Sequence, residues 1–128
     1  MIDLRLGDCL EVMKTIPDKS VDLVVTSPPY NMGGVSLGYQ PLSTVGQKHY
    51  GEYHDKMKNQ EYVDWCLKVI KECLRISRYV FWNVQFVRST RGMILALQNT
   101  FENNLKDIFI WQKQAVANIT AKDGGLLS

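Results

Sequence analysis

Two hydrophobic periods alternate along this chain. Leu10, Met13 and Ile16 recur at helical spacing and predict a helix from Asp8 to about Thr15. Asp8 and Glu11 stand at capping-box spacing around its start. A longer stripe of Val63, Cys66, Leu67, Ile70, Cys73 and Leu74 predicts a helix over 60–77. Its Glu61 and Asp64 lie near the start and its Lys71 and Arg75 near the end, which suits the helix dipole. Ile94, Leu97 and Phe101 predict a third helix over 87–101. Between them lie short runs with strand character at 3–6, 21–26, 79–84 and 105–111. The run Val21-Asp22-Leu23-Val24-Val25-Thr26 is nearly all apolar, as expected of a strand covered on both faces by helices. Phe81, Trp82, Phe109 and Trp111 are expected to be strand core, and Asp22 a surface residue.

Strands and helices thus take turns, interrupted by one long polar segment at 31–60. Alternation of this kind argues an α/β layer sandwich with a mainly parallel sheet. In such folds ligands bind at the carboxyl ends of the strands. The segment 31–60 holds Gly33, Gly34, Gly38, Gly46, Gly51 and Pro41 and is expected to be a mobile loop.

Composition narrows the picture. The 128 residues suffice for one domain. A net charge of +2 is too mild to prove nucleic-acid binding by itself. No apolar run approaches the ~20 residues that span a bilayer, and no signal-peptide core opens the chain. Cys9, Cys66 and Cys73 are an odd count without a CxxC pair, which points to a reducing, cytoplasmic setting. His49 and His54 have no acidic or thiol partner at ligand spacing, so no metal site is expected. Lys48, Tyr50, Tyr53, Lys56 and Lys58 mix cations with aromatics, as surfaces for single strands do; a solvated loop gives the same pattern.

The chemistry concentrates where the central strand empties into Ser27-Pro28-Pro29-Tyr30. Two prolines fix two φ angles and remove two backbone donors, so neither ladder nor helix continues there. A rigid turn remains, offering carbonyls, a hydroxyl and an aromatic face. The Ser27 oxygen and the Pro28 carbonyl can accept the two N–H bonds of an exocyclic amine. Tyr30 can stack on the ring that carries it, as pockets for flipped bases do. Asn31 follows and can line the same pocket, or serve only as a turn residue. No nucleophile elbow surrounds Ser27.

Together with Leu6-Gly7-Asp8-Cys9-Leu10 and the turn at Pro17-Asp18, this motif resembles the start of the S-adenosylmethionine-dependent DNA amino-methyltransferases. The resemblance is sharpest over residues 4–31. It implies a partial Rossmann-like methyltransferase sandwich, DNA as substrate, and S-adenosylmethionine as cofactor. It implies Ser27, Pro28, Pro29 and Tyr30 as catalytic residues, Tyr30 and Asn31 at the base, and Asp8 near the adenine amine of the cofactor. In the family, Ser at the first motif position leans toward cytosine N4 and Asp toward adenine N6, although Ser occurs in both.

The family's Phe-x-Gly-x-Gly cofactor loop is absent from the sequence; Gly124-Gly125 lacks the pattern. The chain therefore resembles the N-terminal catalytic half of a permuted enzyme of bacterial, archaeal or phage origin. The cofactor half and target-recognition region are expected to lie elsewhere, and the isolated chain to be inactive. Its expected partners are DNA and either that missing half or a second copy. Two rivals stay open: a non-catalytic DNA-binding remnant or split subunit, and an amino-methyltransferase acting on RNA or protein glutamine. The latter relatives usually carry Asn-Pro-Pro-Tyr with the glycine loop before it.

Overall fold

The computed structural model of the chain describes residues 2–31, 56–87 and 89–111. Helix α1 spans Cys9–Lys14, and strand β1 spans Val21–Thr26. Helix α2 runs over Asn59–Ile76, strand β2 over Ser77–Trp82 and helix α3 over Arg91–Thr100. β1 and β2 pair in parallel, from Val21 opposite Ser77 to Thr26 opposite Trp82. Parallel pairing needs a crossover, and α2 lies within it. The architecture is the expected partial Rossmann-like α/β fold, with a two-stranded sheet among the described residues.

Helix α2 organises the core. Tyr62, Cys66, Val69, Cys73 and Ile76 follow spacings of four and three residues, so one stripe is buried along its whole length. Its C-terminal part joins Met13 of α1 against Val24, Val80 and Trp82 of the sheet. Its N-terminal part encloses Met93 of α3, with Ile94, Leu97 and Val84 around it. At the end of the sheet where both strands begin, side chains from the neighbouring segment close the helix ends. Lys19 Nζ donates to the Leu74 and Ser77 carbonyls at 2.6 and 2.9 Å, capping α2 with a cation where the dipole favours one. Arg75 returns the favour to α1, donating to the Met13 carbonyl at 2.8 Å and the Ile16 carbonyl at 3.0 Å.

Several expectations are corrected. Residues 3–6 form no strand; Leu4 and Leu6 are fully exposed, and Arg5 pairs with Asp3 at 2.7 Å. Residues 105–111 form none either, and Phe109 and Trp111 are exposed rather than core. A strand exists only where a neighbour takes up its backbone bonds, and among the described residues β1 and β2 pair only with each other. Nor is β1 covered on both faces. Leu23 and Val25, 45% and 71% exposed, share an open face with Tyr79 and Phe81. Phe109 stacks on Phe81 there, with ring centroids 6.0 Å apart. Trp82 is half-buried and Asp22 exposed, the latter as expected.

The third helix starts at Arg91, later than its periodicity predicts. Buried Thr90 explains the delay. Its hydroxyl accepts from the Val87 amide at 3.1 Å and donates to the Gln85 carbonyl, which ties off a turn first. The loop expected at 31–60 and the glycine pair at 124–125 fall largely or wholly outside the described residues. Among the described residues no helix is long and apolar enough to cross a membrane.

Candidate active site

Both strands end level. The Asn83 amide donates to the Thr26 carbonyl at 2.9 Å, and after that rung the chain enters Ser27-Pro28-Pro29-Tyr30. The prolines have no N–H to offer a further rung, so the motif leaves the sheet at its carboxyl edge. A cleft of about 400 Å³ opens there. Gly7, Asp8 and Cys9 form one wall, and Ser27, Pro28 and Pro29 form the other. Trp65 and Trp82 line it too, above Met13, Val69 and Cys73 of the core.

Asp8 is the N-cap of α1. Its Oδ1 accepts from the Leu10 amide at 2.9 Å and more weakly from the Glu11 amide at 3.4 Å. Glu11 does not close a capping box; it pairs with Lys14 at 2.7 Å instead. Gly7 makes the approach possible. Its φ is +153°, and a Cβ built there would stand 3.1 Å from Val12 Cγ2. A side chain at this position would push the Asp8 wall out of place.

Among the described residues, hydrogen bonds at three places hold the motif. Ser27 Oγ donates to the Tyr30 hydroxyl at 3.3 Å, which directs the Ser27 proton along the motif and leaves its lone pairs as acceptors. The Tyr62 hydroxyl donates to the Pro29 carbonyl at 2.7 Å. Asn31 Oδ1 accepts from the Met57 amide at 2.6 Å, while Asn31 Nδ2 donates to the Met57 carbonyl at 3.0 Å. Asn31 adopts φ +54°, a left-handed conformation that asparagine tolerates.

The structure thus brings together Asp8, Ser27, Pro28 and Pro29, which sequence spacing alone keeps about twenty residues apart. Tyr30 joins through Ser27, whereas Asn31 turns its amide toward Met57. Tyr62 and Trp65 are additions that the motif gives no hint of, and Trp82, expected only as strand core, also lines the cleft. The signal for the first two lies in α2, where Tyr62 begins the buried stripe that the periodicity places one residue further round.

Both thiols in the cleft are shifted toward the protonated form. Burial, followed by the neighbouring Asp8 charge, raises the Cys9 pKa, and burial pushes Cys73 up to about 11. A buried donor, Trp82 Nε1, has no partner among the described residues. An acidic wall, an orphan donor and apolar sides suit a ligand with both polar and apolar parts.

Comparison with known proteins identifies the family. A family model for DNA methylases of the N6/N4 methyltransferase type matches residues 21–125. The Type II methyltransferase M.BglII of Bacillus subtilis is 36% identical over 98 residues, which are 74% of this chain and 22% of that protein. M.HinfI of Haemophilus influenzae is 33% identical, over 84% of this chain and 30% of its own length. The DNA adenine methyltransferase YhdJ of Escherichia coli K12 is 34% identical, over 82% of this chain and 31% of its own. The chain therefore spans less than a third of each of these relatives. S-adenosylmethionine is the methyl donor of this family. With a match over most of its length and a Ser-Pro-Pro-Tyr turn at the carboxyl edge of a parallel sheet, the chain belongs to the N6/N4 DNA methylase family.

Proposed function

We propose that this chain supplies the catalytic part of a DNA methyltransferase that methylates the exocyclic amine of cytosine or adenine. The observation that carries the reading is the cleft itself, which Ser27 and Pro28 line together with Gly7 and Asp8. The Pro29 carbonyl is engaged by Tyr62, which leaves the Pro28 carbonyl and Ser27 Oγ as acceptors for the two amine protons. Both acceptors favour the amine with its lone pair localised and pointing at the methyl donor. Tyr30 stacks on the flipped base. Bound S-adenosylmethionine supplies an electrophilic methyl group on a sulfonium. Ser27 Oγ and the Pro28 carbonyl would hold the amine so that its nitrogen could take that methyl directly, with the amine proton released to water. No covalent bond to the chain forms, so catalysis consists of positioning.

The residues present fit one end of the cofactor. The Asp8 carboxylate would accept from its adenine amine, and the cleft walls would shield its apolar parts. We further propose that the glycine-rich cofactor half and the target-recognition region lie in chain beyond residues 1–128, or in a partner. The length of the relatives and the open face of the sheet support this. Free cysteines and bacterial and archaeal relatives support a cytoplasmic setting.

The test is transfer of labelled methyl from S-adenosylmethionine to duplex DNA by the whole enzyme that carries this chain. Nucleoside analysis of the product is expected to show N4-methylcytosine or N6-methyladenine. Folded enzyme that binds DNA and yields neither would favour the non-catalytic DNA-binding reading.

A further inference from the structure

Beyond the bond between Ser27 and Tyr30, the motif is tied to the start of α2 from two sides, by the Tyr62 side chain and by the Asn31 amide on the Met57 backbone. Tyr62 lies 33 positions from Pro29, is 1% exposed, and donates its hydroxyl to the Pro29 carbonyl at 2.7 Å. Its ring is seated in the core against Cys66 and Met93, so the hydroxyl is carried on a rigid mount. Asn31 closes the other side of the motif with two bonds to the Met57 backbone, 26 positions away. Met57 in turn packs on the same Tyr62 cluster. Pro29 and Asn31 therefore flank Tyr30 with anchors that lead to one piece of core.

From this geometry we infer that Tyr62 and Asn31 are positioning residues for methyl transfer: they clamp the motif so that the Pro28 carbonyl, Ser27 and Tyr30 meet the target base in fixed orientation. The inference rests on the reading of Ser27 to Tyr30 as the base pocket and adds to it what sets that pocket's geometry. The two prolines have no N–H with which to anchor the turn locally. A carbonyl that is free to rotate away from the amine loses the near-attack geometry on which the rate depends. A buried hydroxyl bound to the adjacent carbonyl removes that freedom, and the paired bonds of Asn31 hold the left-handed residue that ends the turn.

The experiment compares Tyr62→Phe with wild type in the whole enzyme that carries this chain. Phenylalanine keeps the ring and its packing and deletes one oxygen. The expected result is a kcat lower by about tenfold, the factor that one lost hydrogen bond gives when it acts on the transition state. KM for DNA is expected within twofold of wild type, and the melting temperature nearly unchanged. A kcat within twofold of wild type overturns the inference. So does a loss of rate matched by a raised KM or a collapsed melting temperature, since that is a structural role. Ser27→Ala and Tyr30→Ala are measured alongside. If they slow transfer and Tyr62→Phe does not, the clamp is wrong and the base pocket stands. If none of the three slows transfer, the base-pocket reading fails and the clamp with it. An independent readout uses residues 1–128 alone. The Met57 amide, bonded to Asn31 Oδ1, is expected to exchange with solvent at least about tenfold faster in Asn31→Ala, while amides of 66–73 keep their rates. Unchanged exchange at Met57 overturns the part assigned to Asn31.

Discussion

Ser27 owes its orientation to Tyr30. With its proton directed at the Tyr30 hydroxyl, Ser27 Oγ keeps its lone pairs as acceptors. In the whole enzyme, Ser27→Ala is expected to slow single-turnover methylation while leaving non-specific DNA binding unchanged, because phosphate contacts carry that binding. Tyr30→Ala removes a stacking platform worth about 1–3 kcal/mol and is expected to slow transfer by about tenfold or more. Tyr30→Phe keeps the ring and loses only the bond to Ser27, so it should retain most activity. Wild-type transfer by Tyr30→Ala overturns the base pocket. On the opposite wall, Gly7→Ala meets both a φ of +153° and a contact of 3.1 Å to Val12. It is expected to destabilise by about 1–3 kcal/mol in urea melts of residues 1–128. Loss of less than about 0.5 kcal/mol would mean that the turn relaxes freely. How much of this was legible varies by residue. Asp8, Ser27, Pro28 and Pro29 are legible as motif residues, and the fold gathers them at one cleft. Tyr62 was not legible, because its role depends on a contact 33 positions away that no local pattern encodes.

At the scale of elements, α2 is where sequence and structure meet most closely and also where they slip. Its extent was legible because an eighteen-residue amphipathic pattern has few other homes. The stripe's centre was misplaced toward Val63 and Leu67, since an aromatic such as Tyr62 reads as polar or apolar with equal ease. Strands at 3–6 and 105–111 were misread for a different reason: alternation marks a segment suited to a ladder, and the ladder needs a neighbour that the described residues do not provide. The cysteines of α2 were read as core and are buried. Burial pushes both thiols up to about 11 from an ordinary value of 9.0. Unfolded thiols ionise from about pH 9, whereas folded ones keep their protons to about 11. The stability they contribute is therefore complete below about pH 9 and is lost as pH rises through 11. The loss is on the order of 2 kcal/mol for each thiol. Urea melts of residues 1–128 between pH 8 and pH 11 should show it, and a Cys66→Ala, Cys73→Ala double variant should flatten the slope. An unchanged slope in that variant would assign the alkaline loss to other groups.

For the molecule as a whole, the open face of the sheet is the feature with most consequence. Leu23, Val25, Tyr79 and Phe81 stand on it, 45–71% exposed, in a fold whose parallel sheets are normally covered on both sides. The opposite face is already filled by α1 and α2. Relatives three to five times longer than the segment they share with this chain have ample polypeptide to cover it. If the cofactor half is seated there, two measurements should divide cleanly. Calorimetric titration of S-adenosylmethionine into residues 1–128 is expected to show weak binding or none, because Asp8 and the cleft walls hold one end of the cofactor only. Affinity in the micromolar range would show that the cofactor site is already complete. The second measurement places a charge on the face. Val25 is 71% exposed, so Val25→Lys should change the stability of residues 1–128 by no more than about 0.5 kcal/mol. In the whole enzyme the same lysine would be buried without a partner, which destabilises by about 3–5 kcal/mol. Equal, small effects in both contexts would mean that nothing seats on β1, and the cofactor half would then have to join the cleft from another side.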